Sequence, residues 1–167
     1  METTKENVTV LPARHATPES FAPYGLVLTG RDEGLHGPED QWLDLSAGRP
    51  RVYILRLRQR GRAFREIARH CLVTQCLGSV GGRPWWMAVA PPRDLEDPSA
   101  TPDPDEIVAF DIPGDVLILL KRGTWHAGPY FLEPEQQFFD LELADTNEVD
   151  LQVVDLAESF GRVFEFG

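Results

Sequence analysis

Glycine and proline divide this sequence into short β-prone runs, and almost no stretch has the 3.6-residue periodicity of an amphipathic helix. The apolar run Val116–Leu120, bounded by Gly114 and Gly123, predicts a buried strand. Further runs rich in β-branched and aromatic residues predict strands at Val8–Leu11, Tyr24–Leu28, Val52–Leu57, Ile107–Phe110, Phe138–Leu143 and Leu151–Val154. Many short strands separated by turn signals indicate an all-β sandwich or barrel.

Two runs, Thr74–Val80 and Trp85–Ala90, are joined through Gly81-Gly82 and predict a β-hairpin. Pro84 stands where the second strand begins, a position that needs no hydrogen-bond donor. The run Val52–Leu57 alternates only weakly, so we expect this strand to be buried on most of both faces.

Helical signals are short and peripheral. Thr17 and Pro18 have the form of an N-cap followed by the first helical residue. Phe64–His70 predicts a single helical turn or an irregular link, and Ala157–Phe164 predicts either a short helix or a strand that pairs with a partner subunit. At 167 residues the chain is expected to form one domain, residues 1–167.

The composition excludes some classes of partner. A net charge of -11 argues against nucleic acid, because phosphate binding depends on Lys and Arg. No apolar run approaches the roughly 20 residues of a membrane span. No signal peptide precedes Cys71 and Cys76. We therefore expect both cysteines to be reduced thiols that serve as packing residues in a cytoplasmic protein. Trp42, Trp85 and Trp86 are interpreted as core or interface residues.

Two of the four histidines have neighbours that point to chemistry. His15 and His36 lie in polar loop contexts, whereas His70 precedes the predicted hairpin and His126 follows the Val116–Leu120 strand within Lys121–Tyr130. A lone histidine in a β protein is usually structural. A pair at two strand ends is a candidate for acid–base catalysis, because imidazole titrates near neutral pH.

The spacing around both histidines resembles the cupin family, double-stranded β-helix barrels that usually hold a metal ion with His-x-His, a Glu and a later His. Ala68, His70, Gln75 and Gly82 stand at the spacing of the first cupin motif, but two ligand residues are replaced. The Gly-x2-His of the second motif matches Gly123–His126, with Lys121 where the family usually has proline.

The replaced ligands bear on the cofactor prediction. Two imidazoles and a neutral amide lack the anionic ligand that holds a divalent ion firmly. The sequence therefore predicts no metal or other cofactor, and a divalent metal is the alternative. Glu66 or Glu142 would then supply the missing carboxylate.

Within the cupins the chain is more similar to the ureidoglycolate lyase family. The likeness rests on Tyr24-Gly25, the element Arg-His-x3-Thr-Gln ending at Gln75, Trp125-His126 and the strand Phe138–Leu143. The resemblance implies a cupin-like double-stranded β-helix barrel with short peripheral helices. It also implies a cytoplasmic homodimer that splits ureidoglycolate, a small-molecule substrate, into glyoxylate and urea during allantoin and purine breakdown.

Such a cleavage needs a base for the carbinol hydroxyl, an acid for the departing urea nitrogen and a cation for the carboxylate. We expect His126 to be the base, His70 its partner or a substrate ligand, and Gln75 the residue that bonds the ureido group. Eight arginines lie between Arg49 and Arg69, and of these Arg58 or Arg69 is predicted to bind the carboxylate, with Lys121 as a second candidate. The other arginines are expected to form surface ion pairs.

Asp140 and Glu142 share one face of the Phe138–Leu143 strand. Glu142 is a candidate to orient a histidine or act as the acid, and Asp140 is expected to lie on a solvated face. Two other functions are compatible with the sequence: a metal-depleted cupin that binds a small organic acid or sugar, and a cupin enzyme acting on another ureido or keto acid.

Overall fold

The computed structural model describes residues 7–37 and 43–167, so Trp42 lies outside the described residues. Most of the regular structure is extended. The strands are β1 Asn7–Leu11, β2 Ala13–His15, β3 Gly25–Leu28, β4 Pro50–Arg58, β5 Ala63–Phe64, β6 Glu66–Arg69, β7 Gln75–Val80, β8 Trp85–Ala90, β9 Val108–Ile112, β10 Leu117–Leu120, β11 Trp125–Tyr130, β12 Glu135–Leu143, β13 Gln152–Asp155 and β14 Arg162–Phe166. The helices are α1 Pro18–Phe21, α2 Thr146–Val149, α3 Leu156–Phe160 and a 3-10 turn at Pro104–Glu106.

The strands form three sheets. Sheet I has the order β3-β10-β7-β12-β4, sheet II the order β13-β6-β11-β8-β9-β2, and sheet III the order β1-β14-β5. Pairing between described strands does not close sheets I and II into one barrel. The fold is therefore all-β and consistent with the cupin-like arrangement that the sequence predicted.

Two apolar cores hold the three sheets together. The main core includes Met87, Phe110, Ile118 and Phe138, and it joins the facing sides of sheets I and II. The second core includes Trp125, Phe164 and Phe166, and it packs sheet III against the other side of sheet II. Successive residues along a strand of sheet II therefore face the two cores in alternation.

Most of the predicted strands are confirmed. Val116–Leu120 is buried, as expected, and its regular pairing begins at Leu117. Thr17 caps α1: its Oγ1 accepts from Ser20 N at 3.1 Å, and Pro18 is the first helical residue. The stretch 157–164 contains both a helical end and the start of β14, which pairs within the chain with β1 and β5.

Two local predictions are wrong. β7 and β8 do not form a hairpin, because β7 belongs to sheet I and β8 to sheet II. Gly81 and Gly82 do have positive φ, 105° and 79°, but their turn carries the chain from one sheet to the other. Phe64–His70 is extended, since β6 pairs with β11 on one side and with β13 on the other.

The burial of β4 also differs from expectation. Exposure alternates along the strand: Arg51, Tyr53 and Leu55 point inward, while Val52 and Ile54 are 62% and 52% exposed. β4 is the edge of sheet I and pairs only with β12 among the described strands, and its outward-facing side chains are exposed. Among residues 7–37 and 43–167, no helix has the length and hydrophobicity needed to cross a membrane.

Candidate active site

The two candidate histidines lie side by side on sheet II. His126 is paired with Val89 of β8 and Ala68 of β6. Val89 belongs to the main core, so His126 faces the space between sheets I and II. His70 follows Ala68 by two positions and has the same parity. The ring centroids of His70 and His126 are 5.4 Å apart.

The segment between β10 and β11 positions His126 through bonds to two distant parts of the chain. Gly123, at φ 79°, donates its N–H to the carbonyl of His70 at 2.7 Å. Thr124 Oγ1 donates to the carbonyl of Tyr24 at 2.9 Å. Gly25 next to it packs so closely on β10 that an added Cβ would lie 1.9 Å from Leu119 O. The Tyr24-Gly25 pair thus braces the segment that carries His126.

Both imidazoles are oriented by backbone carbonyls. His126 Nδ1 lies 3.1 Å from Thr124 O, and His70 Nδ1 lies 2.7 Å from Asp150 O. A carbonyl oxygen only accepts, so each Nδ1 carries a proton and donates it. In the neutral ring Nε2 is then the unprotonated nitrogen. Each histidine is held in the tautomer that leaves Nε2 able to accept a proton.

The environment of His126 favours its neutral form. Burial, and to a smaller extent the positive charge of His70, lower the pKa of His126 from 6.5 to about 4, although the bond to Thr124 O acts in the opposite direction. By the exposed surface of the whole residue, His126 is half-buried. His126 therefore has the protonation state of a general base at neutral pH.

A buried polar cluster on sheet I lies at the same end of the two sheets. Gln75 pairs with Leu120, the last residue of β10 before the chain crosses to β11 and His126. Asp140 pairs with Leu77 of the main core, so Asp140 and, two residues later, Glu142 face sheet II. Gln75, Asp140 and Glu142 are all buried.

Hydrogen bonds join this cluster to two inward-facing residues of β4. Gln75 Nε2 donates to Glu142 Oε2 at 2.9 Å and lies 3.5 Å from Asp140 Oδ1. Arg51 donates to Glu142 Oε1 from Nη2 at 2.5 Å and from Nε at 3.1 Å. Tyr53 donates its hydroxyl to Asp140 Oδ2 at 3.3 Å, and the Arg51 guanidinium carbon lies 4.5 Å from the Tyr53 ring centre.

Gln75 Oε1 is a buried acceptor without a hydrogen-bond partner among the described residues. Its orientation follows from Nε2, which is held by Glu142. Buried polar atoms in folded proteins are almost always paired, and an exception requires an explanation such as a ligand or a bound water. A ligand with an N–H group at this position would satisfy the acceptor.

Asp140 is not on a solvated face, contrary to the sequence-based expectation, because it is 2% exposed. Burial, followed by the charge of Glu142, raises the pKa of Asp140 from 3.8 to about 6. Burial also raises the pKa of Tyr53 to about 12, so its hydroxyl stays protonated and donates. Two carboxyl groups and one guanidinium share this part of the interior.

The three residues predicted to bind the substrate carboxylate have their charged groups engaged with other partners. Arg58 lies on the outer face of β4 and pairs with Glu135 at 2.8 Å. Lys121 Nζ donates to Ala22 O at 2.7 Å. Arg69 has the opposite parity to His70: its guanidinium stacks on Trp125 at 4.5 Å and faces the second core. Its partners are Gln152 Oε1 and the carbonyls of Arg93, Asp94 and Asp97.

Arg51, Tyr53 and Asp140 are the site residues that sequence reasoning missed. The available signal was the alternation of β4, which puts Arg51 and Tyr53 on the same face as Leu55 and Leu57. The apolar residues Val52 and Ile54 obscured this pattern, because they occupy the outer face of an edge strand. Applied strictly, the two-residue alternation of side chains along a strand predicts that Arg51 points inward and Arg58 points outward.

The residues at the cupin ligand positions do not form a complete metal site. Ala68 has no donor atom, and Gln75 turns its Nε2 toward Glu142. Among residues 7–37 and 43–167, no group of three or more His, Cys, Asp and Glu side chains is arranged to hold a metal ion. The donor set does not fit the usual cupin metal.

Together these features define a cupin-like β-sheet protein in which a histidine pair faces a buried carboxylate and amide cluster. The family model for ureidoglycolate lyase matches residues 46–161, and the chain belongs to that family. The matched region contains His70, Gln75, His126 and Glu142, whereas Tyr24-Gly25 lies before it. No curated protein matches the chain.

Proposed function

We propose that this protein cleaves ureidoglycolate to glyoxylate and urea. Family membership supports lyase activity on a small molecule. The observation that carries the proposal is the contact between His70 and His126, whose Nδ1 atoms both donate to backbone carbonyls. Two Nε2 atoms are thereby available for proton transfer at the end of the sheets where Gln75 presents an unpartnered acceptor.

In the proposed reaction His126 Nε2 accepts the proton of the carbinol hydroxyl. The oxygen lone pair forms the C=O bond of glyoxylate as the C–N bond breaks, and its electron pair goes to the departing urea nitrogen. The proton that His126 takes up passes to Nε2 of His70, which delivers it to that nitrogen, so the reaction consumes no net proton. The low pKa of His126 keeps it unprotonated before the substrate binds.

Gln75 is proposed to recognise the ureido group. Its Oε1 would accept an N–H of the substrate and gain the partner that it lacks among the described residues. Glu142 accepts from Gln75 Nε2 and so fixes which amide atom faces the substrate. Glu142 is bonded to Gln75 and Arg51, and we therefore propose that it positions Gln75 and does not orient a histidine.

The proposal is tested by incubating the purified protein with racemic ureidoglycolate and quantifying urea and glyoxylate, with and without a chelator. We expect equimolar urea and glyoxylate from one enantiomer, at a rate that the chelator leaves unchanged. No release above the spontaneous rate, or ammonia in place of urea, would contradict the assignment. Inhibition by the chelator that a divalent ion reverses would overturn the metal-free mechanism.

We also propose that the protein is a homodimer in the cytoplasm. Support for self-association comes from the outer face of sheet I, where Val52, Ile54 and Val80 are 62%, 52% and 46% exposed. Cys71 and Cys76 are free thiols, which fits a reducing compartment. Sedimentation equilibrium at micromolar concentration should give twice the 18.8 kDa chain mass, and Ile54→Asp should shift it toward the monomer.

A further inference from the structure

We propose that Arg51 is the residue that binds the substrate carboxylate and makes the site selective for α-hydroxy acids. The inference rests on the proposed lyase function and deepens it. Arg51 was not predicted from the sequence, and the residues that were predicted for this role have their charged groups engaged away from the histidine pair.

The position of Arg51 follows from the parity of β4. Arg51 pairs in register with Glu142 of β12, and both side chains point toward sheet II. The Arg51 side chain keeps 39% of its surface exposed, whereas that of Glu142 keeps 2%. The guanidinium therefore lies between the buried cluster and solvent, where an incoming anion would meet it.

The Arg51 guanidinium has further N–H donors besides those that bond Glu142. A guanidinium carries five N–H groups, and Glu142 Oε1 accepts from Nε and Nη2. The Nη1 group and the second N–H of Nη2 have no acceptor among the described side chains. These two nitrogens form the edge that binds a carboxylate through two parallel bonds. Stacking on Tyr53 fixes the plane in which that edge lies.

One carboxylate, that of Glu142, holds both proposed recognition groups. Its Oε1 accepts from Arg51 and its Oε2 accepts from Gln75. The two groups are thus held a fixed distance apart, separated by a single carboxyl group. In ureidoglycolate the carboxylate and the ureido nitrogen are attached to the same carbinol carbon. A pair of recognition groups fixed in this way suits a substrate whose two polar ends are equally close together.

The charge balance of the cluster is compatible with an additional anion. Asp140 and Glu142 oppose Arg51, so a bound carboxylate would leave excess negative charge if both side chains stayed ionised. The raised pKa of Asp140 allows it to bind a proton when the anion arrives. Asp140 faces Gln75 and Tyr53 on neighbouring strands, Glu142 on its own strand, and Arg51, whose positive charge lowers the Asp140 pKa by less than burial and Glu142 raise it.

The test compares Arg51→Met with the matched control Arg56→Met on the outer face of the same strand, where Arg56 pairs with Glu135 at 3.4 Å. Each protein is assayed with ureidoglycolate and with N-(hydroxymethyl)urea, which has the same carbinol and ureido groups but no carboxylate. We expect Arg51→Met to raise KM for ureidoglycolate at least tenfold and to remove the preference for the acid. Arg56→Met should behave as wild type.

A binding experiment separates this inference from the lyase assignment. Glyoxylate binding is measured by calorimetry for wild type and both variants, after circular dichroism has established that each is folded. Loss of binding in Arg51→Met alone supports the inference, even if wild type cleaves neither compound and the proposed function fails. Wild-type glyoxylate affinity in folded Arg51→Met, or an unchanged KM and preference for the acid, would overturn it.

Discussion

The rings of His70 and His126 lie 5.4 Å apart because β6 and β11 are adjacent and antiparallel, with His126 opposite Ala68. His70 lies in the connection from β6 to β7 and His126 is the second residue of β11, and a bond from Gly123 N to His70 O ties the connection before β11 to that of His70. Their Nδ1 atoms donate to separate backbone carbonyls. The backbone, more than the side-chain environment, therefore sets which nitrogen of each ring is open.

Replacing His126 should change how stability depends on pH. The pKa of His126 is about 4 in the folded protein and about 6.5 when unfolded, so the unfolded chain binds more protons in this interval. The His126 contribution to the free energy of unfolding is lost as pH falls from 6.5 toward 4. His126→Gln should flatten this part of the profile, measured by urea denaturation at pH 4, 5, 6 and 7. An unchanged slope would show that His126 titrates normally.

Replacing Asp140 should have the opposite effect. Its folded pKa, about 6, is raised above 3.8, so the folded protein binds more protons between these values. The contribution of Asp140 to stability is present below pH 3.8 and is lost as pH rises through 6. Asp140→Asn should therefore make stability rise more steeply with pH between 4 and 6 than in wild type. A shallower profile in the same denaturation series would contradict the raised pKa.

Removing the Gln75 amide should impair catalysis. Gln75→Leu keeps the volume but loses the proposed ureido acceptor and leaves Glu142 Oε2 without its bond, and kcat/KM should fall by about 10- to 100-fold. The matched control is Gln136→Leu near the other end of β12, another buried amide whose Oε1 is unpartnered among the described residues. Steady-state assays should find Gln136→Leu as active as wild type. Equal losses in both variants would indicate a packing effect.

Arg69 is expected to act through stability. It is fully buried and holds the carbonyls of Arg93, Asp94 and Asp97. Arg69→Met should lower the free energy of unfolding by about 3 kcal/mol, because it removes four hydrogen bonds donated by a fully buried guanidinium. Arg65→Met, which removes an exposed pair with Asp155, should leave the free energy of unfolding nearly unchanged.

Denaturation and KM together decide the role of Arg69. If the folded Arg69→Met protein has near-normal stability and a raised KM, Arg69 binds the substrate carboxylate, as the sequence predicted. We expect the reverse combination, with KM for ureidoglycolate close to that of wild type.

The strands and the two histidines could be predicted from sequence because their signals are local. Val116–Leu120 is apolar and bounded by glycine, and His126 follows at the spacing of a known motif. Sheet partners are not local. The Gly81-Gly82 turn marked the end of β7 but could not indicate that β7 and β8 enter different sheets. β6 was missed because its extended form depends on pairing with β11 and β13.

The carboxylate cluster was harder to predict for a physical reason. Asp140 and Glu142 are charged residues in a strand, which usually indicates a solvated face, yet both are buried. What compensates for their burial is contributed by other strands: Arg51 and Tyr53 from β4, and Gln75 from β7. No spacing within β12 carries that information. The parity of β4 was the one usable signal.

The most direct test of the central claim is ureidoglycolate cleavage by a His70→Gln, His126→Gln double variant. Glutamine keeps hydrogen-bonding capacity but cannot transfer protons near neutral pH. With folding verified by circular dichroism, release of urea and glyoxylate should fall by about 10²- to 10⁴-fold relative to wild type. Turnover at the wild-type rate by the folded double variant would contradict a mechanism based on the histidine pair.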